Sequence, residues 1–193
     1  MDVDDISQML SSRESEILIA NQKDMDFSRS NGLADSALDR LLITSDQLES
    51  IVSGVRQVNS LVDPLLRSND TNEMPNGLVL EKIRVPLGVV CAIYESRPNV
   101  TVDIAALCIK SGNAVILRGG KEAFQSNKIL TEIIRDSVEA AGLPRDTVQL
   151  IESSERSLVG ELLKMDKYID LVIPRGGAEL VHRVAAEATM ASI

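Results

Sequence analysis

The chain has 193 residues, of which 44% are hydrophobic and 25% are charged, a balance typical of a folded globular protein rather than a disordered one. Its formal net charge is −9, from 20 basic and 29 acidic residues. Nucleic acids and anionic membranes both require a positive surface, so we expect neither as a partner. There is no apolar run long enough to span a membrane, and the acidic first residues do not resemble a signal peptide. We therefore expect a cytoplasmic protein.

The N-terminal part has a helical pattern from about residue 4 to residue 61. Thr44-Ser45-Asp46 supplies capping side chains for its clearest helix. Residues 68–77 are rich in turn formers, and we interpret them as a junction. We therefore divide the chain into a helical region, residues 1–66, and an α/β domain, residues 67–193. The apolar stripe that indicates the clearest helix has three- and four-residue spacing and consists of Leu48, Ile51, Val52, Val55 and Val58.

The second part alternates apolar strand-like runs with amphipathic helical stretches. Continuously apolar strands indicate burial on both faces, and helix-length connections between them indicate a parallel sheet. We therefore predict a doubly wound, Rossmann-like α/β domain with helices on both faces of the sheet. The four predicted strands are residues 89–94, 114–117, 148–151 and 169–173, and a last helix is predicted at about residues 177–190.

A glycine pair follows the second predicted strand, in the sequence Arg118-Gly119-Gly120-Lys121. Two glycines allow a phosphate or ribose to approach the backbone, and the two basic side chains place positive charge near a helix N-terminus. The pattern is equally consistent with a tight strand-to-helix turn in which the lysine is incidental.

A second glycine turn, Pro174-Arg175-Gly176-Gly177, follows the last predicted strand. It has the same two interpretations, an anion-binding helix N-terminus or a turn that only reverses the chain. No GxGxxG pattern occurs in the sequence, so the usual dinucleotide fingerprint does not apply.

Polar residues also follow the first predicted strand, at the sheet edge where ligands of open α/β folds collect. Arg97 suits the phosphate or carboxylate of an anionic substrate. Asn99 suits either helix N-capping, which its position favours, or donation to a developing oxyanion. We expect Asp103 to compensate the dipole in the first turn of the same helix.

The two thiols, Cys91 and Cys108, lie in apolar runs without metal-ligand spacing, so we expect two buried structural thiols and no metal site. His182 is the only histidine, and we expect it on a solvated helix face.

Three segments resemble one known family. They are YESRPNVTVD at residues 94–103, KSGNAVILRGG at residues 110–120 and IPRGG at residues 173–177. Together with ANQKD at residues 20–24, they resemble γ-glutamyl phosphate reductases, members of the aldehyde dehydrogenase superfamily. The resemblance extends over nearly the whole chain but covers only about the first half of the family's pattern.

The resemblance implies an aldehyde dehydrogenase-like cofactor domain with a sheet of five strands. It also implies the NADPH-dependent reduction of L-glutamate 5-phosphate to L-glutamate 5-semialdehyde and phosphate in proline biosynthesis, and a homo-oligomeric enzyme. The cofactor residues that it implies are Glu95, Ser96, Arg118, Gly119, Gly120, Lys121, Pro174, Arg175, Gly176 and Gly177.

Within that set, the resemblance places Arg118 beside the adenosine ribose and Gly176-Gly177 at the cofactor pyrophosphate. Lys121 stands where NAD-dependent members often have a carboxylate, which favours the 2′-phosphate of NADP. Arg97 and Asn99 would bind substrate, with Asn99 as an oxyanion donor.

The family's nucleophilic cysteine lies in a GNCH-type motif that is absent from these 193 residues, and Cys91 and Cys108 match no part of it. We also expect the fifth strand to be missing after Met190. An alternative hypothesis is therefore a truncated, non-catalytic cofactor-binding module. An unrelated α/β sensor domain is disfavoured, because it would not need the YESRPNVTVD and IPRGG segments together.

Overall fold

The computed structural model describes residues 3–65, 70–95 and 97–193. Four helices form the N-terminal part, as the apolar spacing predicts: α1 (Asp4–Ser12), α2 (Glu14–Ser30), α3 (Asp35–Leu41) and α4 (Ser45–Ser60). The predicted cap of α4 is confirmed, since the Thr44 hydroxyl accepts from the Gln47 N–H at 3.2 Å while the Gln47 side chain accepts from the Thr44 N–H at 2.8 Å. The described part contains no helix long and apolar enough to cross a membrane.

A two-stranded antiparallel hairpin follows, formed by β1 (Asp70–Glu73) and β2 (Val79–Lys82). Part of the predicted junction, residues 68–77, thus pairs as a strand that the sequence pattern does not predict, while its role as a junction stays a prediction. Gly77 adopts a φ of 83° in the turn, a conformation that suits glycine. The apolar side chains of β2 are exposed and do not alternate with polar ones, which is why no strand pattern is visible in the sequence.

The main sheet is parallel and contains β3 (Val89–Tyr94), β4 (Ala114–Arg118), β5 (Val148–Leu150), β6 (Leu171–Arg175) and β7 (Ala191–Ser192). Its spatial order is β5-β4-β3-β6-β7, which confirms the predicted parallel pairing of residues 89–94 with residues 114–117.

The expectation of a missing fifth strand is wrong. Ala191 and Ser192 pair in parallel with Leu171 and Val172 of β6. Two residues carry no recognisable strand pattern, and they form a strand here because the edge of β6 offers free hydrogen-bonding groups.

Helices cover both faces of this sheet. They are α5 (Asn99–Lys110), α6 (Phe124–Ala140), α7 (Ser157–Leu162) and α8 (Ala178–Glu187), with short 3₁₀ turns at Lys121–Ala123 and Arg145–Thr147. Along β3, Val90, Ala92 and Tyr94 belong to the core shared with α1, α4, α5 and α6, whereas Cys91 and Ile93 belong to the core shared with α7 and α8. This alternation confirms the doubly wound architecture, while the domain boundary after residue 66 stays a prediction.

Candidate functional site

The carboxyl ends of three neighbouring strands meet at one edge of the sheet. In the strand register Arg118 at the end of β4 lies opposite Ile93, and Arg175 at the end of β6 lies opposite Tyr94. The polar residues that follow β3, β4 and β6 are therefore brought together, as the sequence predicts for a parallel sheet.

A cavity of about 270 Å³ opens at this edge, and we call it the sheet-edge cavity. Charged side chains of both signs line it among the described residues. The cationic ones are Arg118, Lys121, Arg156 and Arg183, and the anionic ones are Glu95, Glu122 and Glu179.

Arg118 is buried and has a structural role that the sequence does not reveal. Its Nη2 donates to the carbonyl oxygens of Ser154 and Glu155, at 3.2 and 3.3 Å, so it holds the loop that follows β5. Its Nε is buried without a hydrogen-bond partner among the described residues. Burial lowers the pKa of the guanidinium, and Arg156 and Arg183 lower it further, against the opposing effect of Glu122.

Lys121 and Arg156 are the exposed cations of the sheet-edge cavity, and within the described ranges neither is assigned a hydrogen bond or an ion pair. Arg156 is not among the residues predicted from the sequence. Its position in the loop after β5, at the same sheet edge as Lys121, was the signal that could have identified it.

Gly119 and Gly120 both lie in the turn after β4, but the structure separates their roles. A Cβ added at Gly119 would lie 2.1 Å from Nδ2 of Asn127, so this glycine makes room for a buried side chain. Asn127 is itself fixed by a buried network, in which its Oδ1 accepts from Thr101 and the Thr101 hydroxyl contacts the Tyr94 hydroxyl. Gly120 lines the sheet-edge cavity.

The second glycine turn leads into α8. Gly177 caps this helix, and its N–H donates to Oε2 of Glu95 at 2.9 Å. A Cβ at Gly176 would lie 2.5 Å from the same oxygen. The position that the sequence predicts for a bound anion is thus in contact with a carboxylate of the chain itself.

Two further cavities lie next to the N-terminal helices, and Glu95 lines the first of them. The first, about 320 Å³ in volume, is the arginine cavity, lined by Ala37, Arg40, Glu95, Arg97, Arg175 and Gly176. The second, about 280 Å³, lies between α3, α4 and α5, and we call it the helix-gap cavity; its polar lining includes Asp39, Arg40, Gln47, Ser50, Asn99 and Asp103. The structure therefore places the two predicted substrate residues, Arg97 and Asn99, in adjacent cavities. Ser96 lies outside the described residues.

The capping role expected of Asn99 is corrected. Pro98 occupies the N-cap of α5, and the Asn99 amide instead donates to Oδ2 of Asp103 at 3.1 Å. Asp103 also lies beyond the first turn, so the expected dipole compensation is wrong. Burial raises the pKa of Asp103, while Asn99 and Arg175 oppose that shift.

Cys91 and Cys108 are buried, as predicted, and neither lines a cavity described above. Burial raises the pKa of Cys91 to about 12 and that of Cys108 to about 11. His182 is exposed on α8, also as predicted. The described residues hold no cluster of side chains suited to a metal ion.

The comparison with family models matches residues 40–193 to the aldehyde dehydrogenase family. The chain belongs to this family. It is 53% identical over 175 residues to a gamma-glutamyl phosphate reductase from Actinobacillus succinogenes, an alignment that covers 91% of the chain and 42% of that relative. The chain therefore spans about two fifths of the length of the relatives that it matches.

Solved structures of the family have the same fold. The gamma-glutamyl phosphate reductase of Thermotoga maritima superposes with a TM-score of 0.94 at 38% identity, covering 98% of this chain and 46% of the other. The corresponding protein of Saccharomyces cerevisiae gives a TM-score of 0.88 at 37% identity, covering 98% and 48%. The predicted aldehyde dehydrogenase-like fold is thereby confirmed.

Proposed function

We propose that the chain supplies the NADP-binding half of an enzyme that reduces L-glutamate 5-phosphate to L-glutamate 5-semialdehyde and phosphate, a step of proline biosynthesis. The observation that carries the proposal is the convergence of Lys121 and Arg156 on the sheet-edge cavity, which Glu95 connects to the Gly176-Gly177 turn at the start of α8. The names of the similar proteins supply the substrate.

The described residues fit an anionic dinucleotide. Lys121 and Arg156 offer cationic groups without an assigned partner in the described ranges, and the buried guanidinium of Arg118 adds positive charge. At the start of α8, a pyrophosphate would replace the Glu95 carboxylate as the acceptor of the Gly177 N–H. Lys121 and Arg156 would hold the 2′-phosphate of NADP, and Gly176-Gly177 would hold its pyrophosphate. When bound, the cofactor supplies the hydride.

The chain's own residues would also bind and orient the substrate. Arg97 and Arg175 concentrate positive charge in the arginine cavity, where a phosphate would be attracted. Asn99 lies one cavity further and offers its amide as an oxyanion donor. Acyl transfer from the phosphate requires a thiolate, and neither buried thiol of these 193 residues is suited to that role, so the proposal needs a nucleophile from other residues.

The buried thiols also favour the second candidate, a binding module that holds NADP and performs no chemistry. The two candidates share the cofactor site and differ in the need for a thiolate from outside the 193 residues.

The cofactor part is tested by titrating the purified chain with NADPH and NADH and following the nicotinamide fluorescence. We expect NADPH to bind roughly tenfold or more tightly than NADH, since a charge-assisted contact to the extra phosphate contributes about 1.5–3 kcal/mol. Equal affinities for NADPH and NADH would contradict the proposed contact with the 2′-phosphate. Failure of both ligands to bind would overturn the proposed cofactor site.

A further inference from the structure

The three cavities at the sheet edge form a row that is linked by shared side chains. Glu95 lines both the sheet-edge cavity and the arginine cavity. Arg40 lines both the arginine cavity and the helix-gap cavity. A small molecule held in the arginine cavity can therefore extend toward α3 and α5, away from the sheet-edge cavity.

The middle of this row is cationic. Among the described residues that line the arginine cavity, three carry guanidinium groups, Arg40, Arg97 and Arg175, and one carries a carboxylate, Glu95. The Glu95 carboxylate also accepts from the Gly177 N–H, and its single negative charge is too small to balance three guanidinium groups. An anion such as a phosphate suits this position.

The helix-gap cavity has a different charge pattern, with two carboxylates, Asp39 and Asp103, beside one guanidinium, Arg40. In the described part of the chain, Asp103 accepts a hydrogen bond from Asn99 and is assigned no ion pair. The Arg40 side chain is steered by the hydrogen bond from its Nε to the Ser36 carbonyl oxygen at 2.9 Å, which leaves its two terminal nitrogens for another acceptor.

A half-buried carboxylate without an ion pair is costly, and burial raises the pKa of Asp103 even though Asn99 and Arg175 oppose that shift. An ammonium group placed beside Asp103 would form an ion pair with its carboxylate. A carboxylate placed beside Arg40 would form an ion pair with its guanidinium. Ammonium and carboxylate on neighbouring atoms are the defining groups of an α-amino acid.

We propose that the helix-gap cavity binds the α-amino acid end of the substrate, with Asp103 accepting from its ammonium group and Arg40 pairing with its α-carboxylate. This inference rests on the proposed function, since it takes the substrate to be an amino acid activated as an acyl phosphate. The far end of that substrate, with its phosphate, then points toward Arg97 and Arg175. One N–H of the Asn99 amide orients the Asp103 carboxylate, so Asn99 is a positioning residue here, and its second N–H is the donor assigned above to the oxyanion.

The experiment uses three probes on the ¹⁵N-labelled 193-residue chain, followed by amide chemical shifts. L-Glutamate carries both head-group charges, glutarate lacks the ammonium, and 4-aminobutyrate lacks the α-carboxylate. We expect L-glutamate to shift the amides of Gln47, Ser50 and Asn99 with an affinity about tenfold or more above that of either analogue.

Two variants test which residue recognises the ammonium group and which recognises the α-carboxylate. Asp103→Asn is expected to remove the preference for L-glutamate over glutarate, and Arg40→Gln the preference over 4-aminobutyrate. Glutarate binding by Asp103→Asn verifies that its cavity is intact. Asp46→Asn removes an exposed acid from the first turn of α4, outside this cavity, and should leave both preferences unchanged.

Equal affinities of wild type for the three probes, or no shifts at these amides, would overturn the inference. An undiminished preference in Asp103→Asn would overturn the role of that residue. NADPH added to the same samples separates this result from the cofactor proposal, because it should shift amides of the sheet-edge cavity. If the chain prefers L-glutamate but does not bind NADPH, the amino-acid site is supported and the cofactor proposal is wrong. If it binds NADPH but shows no preference for L-glutamate, only the amino-acid site is wrong.

Discussion

Glu95 and Gly177 connect the end of β3 to the start of α8 through a hydrogen bond of 2.9 Å from the backbone N–H to the carboxylate. The helix N-terminus thus binds an anion that the chain itself supplies. The proposed pyrophosphate position is the same turn, so the cofactor and Glu95 compete for one donor group.

This competition predicts that Glu95→Gln binds NADPH more tightly than wild type. Removal of the negative charge eliminates an interaction with the helix N-terminus of about 0.3–1 kcal/mol, which corresponds to roughly a two- to fivefold gain in affinity. Calorimetric titration measures it, with Glu161→Gln on the exposed face of α7 as the control. Weaker binding by Glu95→Gln would instead assign this carboxylate a direct contact with the cofactor.

Lys121→Glu is expected to reduce the preference for NADPH over NADH by roughly tenfold, because the substitution places a negative charge beside the 2′-phosphate. The measurement is the ratio of the two dissociation constants. Lys164→Glu makes the same charge change at an exposed position that does not line the sheet-edge cavity. If Lys121→Glu and Lys164→Glu have the same ratio of dissociation constants for NADPH and NADH, Lys121 does not contact the cofactor.

The two thiols should not react with a thiol-specific disulfide reagent in the native chain at pH 8. Both are buried, and their pKa values of about 12 and about 11 keep the thiolate fraction very small. Both should react once the chain is unfolded in guanidinium chloride. Ser30→Cys, at an exposed position at the end of α2, provides the reactive native control. Rapid labelling of native Cys91 or Cys108 would contradict the burial.

The 193-residue chain alone is expected not to oxidise L-glutamate 5-semialdehyde in the presence of phosphate and NADP. The reason is the same burial, since acyl transfer needs an accessible thiolate. NADPH absorbance follows the reaction. Turnover that is abolished by Cys91→Ser or Cys108→Ser would show that one of these thiols is the nucleophile.

Asp24→Ala is expected to destabilise the fold by about 1–3 kcal/mol. The Asp24 carboxylate accepts from the backbone N–H groups of Gln125 and Ser126, at 3.0 and 2.7 Å, so α2 caps the start of α6. Urea denaturation measures the loss. Asp26→Ala, an exposed acid on the same helix, should change the free energy of unfolding by less than about 0.5 kcal/mol.

Local features of the fold could be predicted because they depend on neighbouring residues. The bounds of β3 follow from an uninterrupted apolar run, and the cap of α4 follows from Thr44 and Gln47, three residues apart. The parallel sheet follows from strands that are separated by helix-length segments. The hairpin and β7 could not be predicted, since their pairing depends on partner strands and not on an apolar pattern of their own.

The candidate site likewise has features that the sequence predicts and features that depend on the tertiary structure. The sequence by itself determined which turns follow the strands, and so which edge of the sheet carries Arg118, Lys121 and Gly177. Only the tertiary structure decided that the Arg118 guanidinium binds the carbonyl groups of Ser154 and Glu155 and that the Glu95 carboxylate occupies the start of α8. Those contacts join residues 36 to 82 positions apart, and the choice among many possible long-range partners is made by packing, which no local spacing encodes.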